Sequence, residues 1–182
     1  DGISERASHG DTGSSPVGRN RCPTRDIQSM SERDFSQARI KPGYVLDPDS
    51  IVEPVLTEAD WTDFAEGVAL FNRGEYWESH EAWETVWKRH TLPSRVFFQA
   101  MIQVAAAYHQ LGRGIHHGVL KHFRNAATKL DPFPDVFLGV DLDPIRTALA
   151  AGIDEAVRLG PDRFDTFNQA LVVKVQFERP TS

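Results

Sequence analysis

Phe71-Asn72-Arg73-Gly74-Glu75-Tyr76-Trp77-Glu78-Ser79-His80-Glu81-Ala82-Trp83-Glu84-Thr85-Val86-Trp87 is the stretch on which the reading of this chain turns. Asn72-Arg73-Gly74 is a turn signal, and no Gly or Pro follows until Pro93, so the segment between reads as one helix. At about 100° per residue, Tyr76, His80, Trp83 and Trp87 fall on one stripe, flanked by Ser79 and Val86. Glu84 follows His80 by one turn, on the margin of that stripe. Glu81 points about 100° away from His80, and Glu78 lies nearly opposite the stripe. The acidic groups therefore do not converge within one helix. Gathering them into a site needs neighbouring helices on more than one side.

Outward from this helix, the same logic gives its neighbours. Upstream, Thr57-Glu58-Ala59-Asp60 is a capping-box start with Asp in place of the usual Glu or Gln. Trp61, Phe64, Ala65, Val68 and Phe71 then keep the helical period, predicting a helix over 58–72 and the quoted one over 75–89. Gly67 inside the first costs about 1 kcal/mol against Ala, which points to a close contact. Downstream, Pro93 breaks the chain, and 94–111 is apolar around nearly its whole circumference, the mark of a core helix. Its exceptions are Gln99, Gln103 and Gln110, on one stripe, and His109, beside Ile102 and Ala105. Gly112-Arg113-Gly114 ends it, and a fourth helix over 115–130 buries Val119, Leu120, Phe123, Ala127 and Leu130, with His117, Lys121, Arg124 and Lys129 outward. Asp131-Pro132-Phe133-Pro134 stops that helix, and an apolar-studded loop follows. Asp143-Pro144, as N-cap and N1, opens a fifth helix over 144–159. Leu171 to Phe177 alternates weakly and is expected as a short extended segment. The expected fold class is all-α, a small bundle of about five helices built on two antiparallel helix hairpins.

Composition bounds the function. With 182 residues, 40% of them hydrophobic, there is material for one core. A formal charge of −6 argues against nucleic acid and against an anionic membrane surface as partners. One cysteine, Cys22, excludes an intrachain disulfide and a thiolate metal cluster. No apolar run nears the roughly 20 residues of a spanning helix, and no signal-peptide core is visible, so a cytoplasmic location is expected. Residues 1–42, rich in Ser, Gly, Arg and Asp, read as a disordered or extended segment ahead of a single helical domain over 43–182. Met30-Ser31-Glu32-Arg33 looks like an ordinary start. Residues 1–29 are thus expected either to derive from an upstream start assignment or to be a genuine tail.

Taken together, Phe71-Asn72-x-Gly74-x-Tyr76-x-Glu78-x-His80-Glu81-x-Trp83-Glu84-x-x-Trp87 and Gln99-Ala100-x-Ile102-Gln103-x-Ala105-Ala106-Ala107-Tyr108-His109 resemble the domain of unknown function 309 family. Gly114-x-x-x-Gly118 and the stretch from Leu130 to Gly139-Val140-Asp141 fit it too, so the resemblance spans roughly Thr57 to Leu149. It implies a small all-helical domain, intracellular in bacteria and archaea, with no established activity. Arg113-Gly114 with the His116-His117 pair departs from the pattern.

His80-Glu81-x-x-Glu84 invites comparison with the zinc-protease His-Glu-x-x-His, in which two His one turn apart hold zinc. Here Glu84 replaces the second His and no third ligand follows. A carboxylate-bridged dimetal bundle needs Glu-x-x-His from two helices, and this chain has only Glu78-x-x-Glu81. For His80 the plain alternative is a core histidine oriented by Glu84 or by a Gln across the bundle. His116, His117 and His122 are expected at the solvated surface, and the four Trp in the core. Glu78, His80, Glu81, Glu84, Trp87, Gln103 and His109 stand as candidate ligand-binding residues, with His80 and Glu84 as candidate ligands of a divalent metal. The geometry expected is His80, with Glu81 or Glu84, facing Gln103 or His109 across the interface of the second and third helices. Two functions are open: a binding or scaffold module with a protein partner, or a small-molecule or metal-dependent enzyme using that polar cluster.

Overall fold

Thr57 begins the first helix as its sequence suggests. In this computed structural model, which describes residues 46–91 and 94–180, Thr57 Oγ1 accepts from the Asp60 N–H at 3.2 Å, and Asp60 accepts in return from the Thr57 N–H at 3.0 Å. Helix α1 runs Glu58–Arg73 and stops at Gly74, whose φ of 87° closes the turn by donating to the carbonyls of Leu70 and Phe71. Helix α2 (Tyr76–Arg89), α3 (Ser94–Gly112), α4 (His116–Leu130) and α5 (Asp143–Leu159) follow. Sequential helices pack on one another, so the all-α hairpin architecture holds, with five α-helices among the described residues. No helix among these residues is long and apolar enough to cross a membrane. The expected boundary at 42/43 and the readings of residues 1–42 lie outside the described residues.

Helix α3 is the axis of the bundle: every residue from 96 to 108 is buried. Against one side lies an aromatic core of Phe64, Phe71, Trp83, Phe97, Phe98, Tyr108 and Phe123. Trp83 is fully buried, and its indole donates to the Phe64 carbonyl at 3.2 Å. Gly67 explains itself here. A Cβ at that position would sit 2.4 Å from the Trp83 indole nitrogen, so the glycine admits the ring against the α1 backbone.

Two readings need correction. Asp143 is not the N-cap of α5 but its first residue; Leu142 is the N-cap, and Asp141 Oδ1 accepts from the Asp143 N–H at 3.2 Å. The loop after α4 contains a small antiparallel hairpin, β1 (Val136–Phe137) with β2 (Val140–Asp141). Arg146 staples this loop to α5. Its guanidinium donates to the carbonyls of Leu130 (3.0 Å), Phe133 and Pro134 (3.4 Å) and pairs with Asp135.

The segment beyond α5 returns across the bundle; Leu171, expected to open its extended part, instead closes a 3-10 turn (Gln169–Leu171), and the extended run begins at Val172. Asn72 holds it by both ends of its amide, donating to the Val175 carbonyl at 2.9 Å and accepting from the Val175 N–H at 2.8 Å. The Tyr108 hydroxyl accepts from Val173 N–H, and Glu178 N–H donates to the Gly139 carbonyl at 2.9 Å. A Cβ on Gly139 would meet the Glu178 carbonyl oxygen at 2.0 Å, and its φ is 74°, so both space and backbone require glycine there.

Candidate functional site

On the side of α3 away from the aromatic core, the polar stripe Arg95, Gln99, Gln103 and Gln110 is flanked by α2 and α4. Contacts fix the register. On the α2 side, Trp77 lies 5.5 Å from His109 between ring centroids, and Arg95 stands 4.2 Å over the Trp87 ring. On the α4 side, His122 Nδ1 meets Gln103 Oε1 at 2.7 Å, and Asn125 donates to the same oxygen at 3.4 Å. Gly118 lies against the Gln110 side chain as well, so both neighbours run antiparallel to α3.

His80 is buried, with the Trp77 ring stacked on it at 5.4 Å and 16°. Trp77 thus joins His80 to His109. Burial pushes the His80 imidazole down to about 4, helped by the charges that His122, His109 and Lys88 would carry nearby. His122 is likewise brought to about 4 by burial and by Lys121. Since Gln103 Oε1 can only accept, His122 donates from Nδ1, and its lowered value leaves the ring neutral at pH 7. His109, half-exposed, is lowered by burial and by Arg113, against a smaller opposing pull from Glu78. The imidazoles are neutral hydrogen-bonding groups at neutral pH.

The carboxylates go elsewhere. Glu78 and Glu81 are exposed, and Glu84 pairs with Lys88 at 3.4 Å. His80 and His109 are brought together through Trp77, and Gln103 joins His122. Among the described residues no three His, Cys, Asp or Glu side chains are placed to hold a metal ion. Trp87 lines the same face, and its buried Nε1 has no hydrogen-bond partner among the described residues; the same is true of Gln99 Oε1.

The expectation that His122 is solvated is overturned: it is 4% exposed. Its burial follows from Gln103, which gives the ring a partner inside an interface that the apolar pattern of α4 does not mark. His116 also leaves solvent in part, with Nε2 at 2.9 Å from the Ala156 carbonyl. Gln99, Trp77 and Asn125 were not among the candidates. Gln99 was legible as a polar break in an apolar helix; Asn125 carries no sequence signal, and Trp77 reads as core.

Fold and face together define the class: an all-α hairpin domain with a layer of neutral imidazoles and amides across three helices. Residues 64–122 match the family of the domain of unknown function (DUF309), the one the motif resembles. The match runs from the core of α1 to His122 and contains most of the polar face; the family is uncharacterised. No curated protein matches the chain.

Proposed function

We propose that this domain is a binding module that recognises its ligand by hydrogen bonding on the α2–α3–α4 face. The observation that carries this is that buried atoms of the face, Trp87 Nε1 and Gln99 Oε1 and, further along the stripe, Gln110 Oε1, are left without partners beside a layer in which Gln103, His122 and Asn125 satisfy one another. A buried polar atom without a partner costs about 1–3 kcal/mol, so a ligand gains about that much for each of these atoms it completes. Binding is favoured over catalysis because a general base near pH 7 needs a matching pKa, whereas His80 and His122 lie near 4. Glu78 and Glu81 face solvent, and Glu84 is held in its pair with Lys88.

The test is a screen of small polar metabolites against isotope-labelled protein. Hits are expected to move the Trp87 indole and Gln99 side-chain amide resonances, without turnover. Hits that map only to other faces refute the reading. Hydrolysis or group transfer abolished by His80→Gln refutes it in favour of the enzyme alternative.

A further inference from the structure

The polar face has one layer whose chemistry goes further than hydrogen bonding. One turn back along α3 from Gln103 is Gln99, and one turn on along α4 from Asn125 is Lys129, so the antiparallel register sets Lys129 opposite Gln99 as it sets Asn125 opposite Gln103. Arg95, one turn from Gln99 in the other direction, lies over the Trp87 ring at 4.2 Å. By this register an indole N–H donor, an amide oxygen acceptor and two cations fall at one level of the α2–α3–α4 face. The two uncharged atoms are buried and unpartnered, and neither cation forms an ion pair among the described residues. Burial lowers the Lys129 ammonium from its ordinary value, the response of a cation with no counter-charge beside it. Trp87, Arg95 and Lys129 are each half-buried, and Gln99 beneath them is 5% exposed.

These demands restrict the ligand. The indole can only donate, so the ligand must offer it an acceptor. The Gln99 oxygen needs a donor. Arg95 and Lys129 need negative charge. A simple anion leaves Gln99 unmatched, and a neutral amide leaves the cations unmatched. We propose that this layer seats a small carboxylate carrying a hydroxyl on the adjacent carbon. Its carboxylate accepts from Trp87 Nε1–H and lies between Arg95 and Lys129, and its hydroxyl donates to Gln99 Oε1. The inference rests on the reading of this face as a binding surface and adds the class of ligand.

Three probes of nearly equal size separate the requirements: glycolate, acetate and glycolamide, each titrated into the protein while the Gln99 side-chain amide resonances are followed, a readout that Trp87→Phe retains. Glycolate is expected to bind tightest, acetate several-fold more weakly, and glycolamide not measurably. Trp87→Phe, which keeps the ring and removes the donor, and Lys129→Gln should each weaken glycolate about tenfold, the loss of one charge-assisted hydrogen bond. Arg124→Gln, an exposed charge change on the same helix, should leave it unaltered. Glycolamide binding as tightly as glycolate overturns the charge requirement, and acetate binding as tightly overturns the hydroxyl. If none of the three binds but another compound moves Trp87, this inference fails and the binding reading stands. If no compound moves that face, both fail.

Discussion

Acidification should loosen this domain in a pH window set by His80 and His122. Each imidazole has an ordinary value near 6.5 in the unfolded chain and about 4 in the folded one. The unfolded state therefore binds more protons as pH falls from about 6.5 to about 4, and stability falls with it; above 6.5 neither group contributes. At pH 4.5 the difference is about 2.5 kcal/mol for each histidine, or about 5 kcal/mol together, a large share of the 5–15 kcal/mol of a typical domain. His109, lowered in the same sense, adds to the loss. Asp60 works in the opposite range. Hydrogen bonds from Thr57 and Arg89 outweigh its burial and hold its carboxyl at about 2, so its contribution is lost only as pH falls below about 4. Urea unfolding at pH 7.5 and 4.5 therefore reports on the histidines while Asp60 stays ionised, and the His80→Gln variant separates them from Glu58, which Arg179 holds below its ordinary value. Wild type is expected to lose several kcal/mol, and His80→Gln, though less stable at pH 7.5, should lose about 2.5 kcal/mol less between the two. An equal drop in both proteins would refute the reasoning, as would a His80 or His122 ring resonance titrating near 6.5.

Three further outcomes follow from the packing. Gly67→Ala places a methyl 2.4 Å from the Trp83 indole nitrogen; despite the better helix propensity of alanine it should destabilise by about 1–3 kcal/mol in chemical unfolding. Arg146→Lys keeps the charge but cannot reach several carbonyls at once, so a loss of about 1–3 kcal/mol is expected, and a neutral result would show the staple to be idle. Calorimetric titration with zinc, manganese and nickel should give the same background heat for wild type and His80→Ala, because Glu84 is engaged with Lys88; a signal lost in the variant would restore the metal reading.

The helices were legible because their punctuation is local. Thr57, Gly74, Pro93 and Gly112 to Gly114 act within one turn, and the stripe of Phe64, Val68 and Phe71 is a matter of period. What escaped was whatever depends on a second element. His122 looks solvated on its own helix and is buried only because Gln103 on α3 answers it. Glu84 looks like a partner for His80 at one turn's distance, yet Lys88, one turn the other way, carries the opposite charge and pairs with it. Gln99 stood out as polar in an apolar helix, but sequence could not show that its oxygen lacks the answer Gln103 receives.

The clasp that Asn72 makes with Val175 spans 103 positions of chain. Everything it touches on α1, α3 and the hairpin precedes it in synthesis, so the helical hairpins can assemble while the clasp is still unmade. Contacts formed after the rate-limiting step govern how fast a protein comes apart rather than how fast it comes together. The returning segment is then a latch on lifetime: Asn72→Ala should speed unfolding and leave the folding rate nearly unchanged. The persistence of this domain would be controlled far from its polar face, by a strap that adds nothing to the binding chemistry.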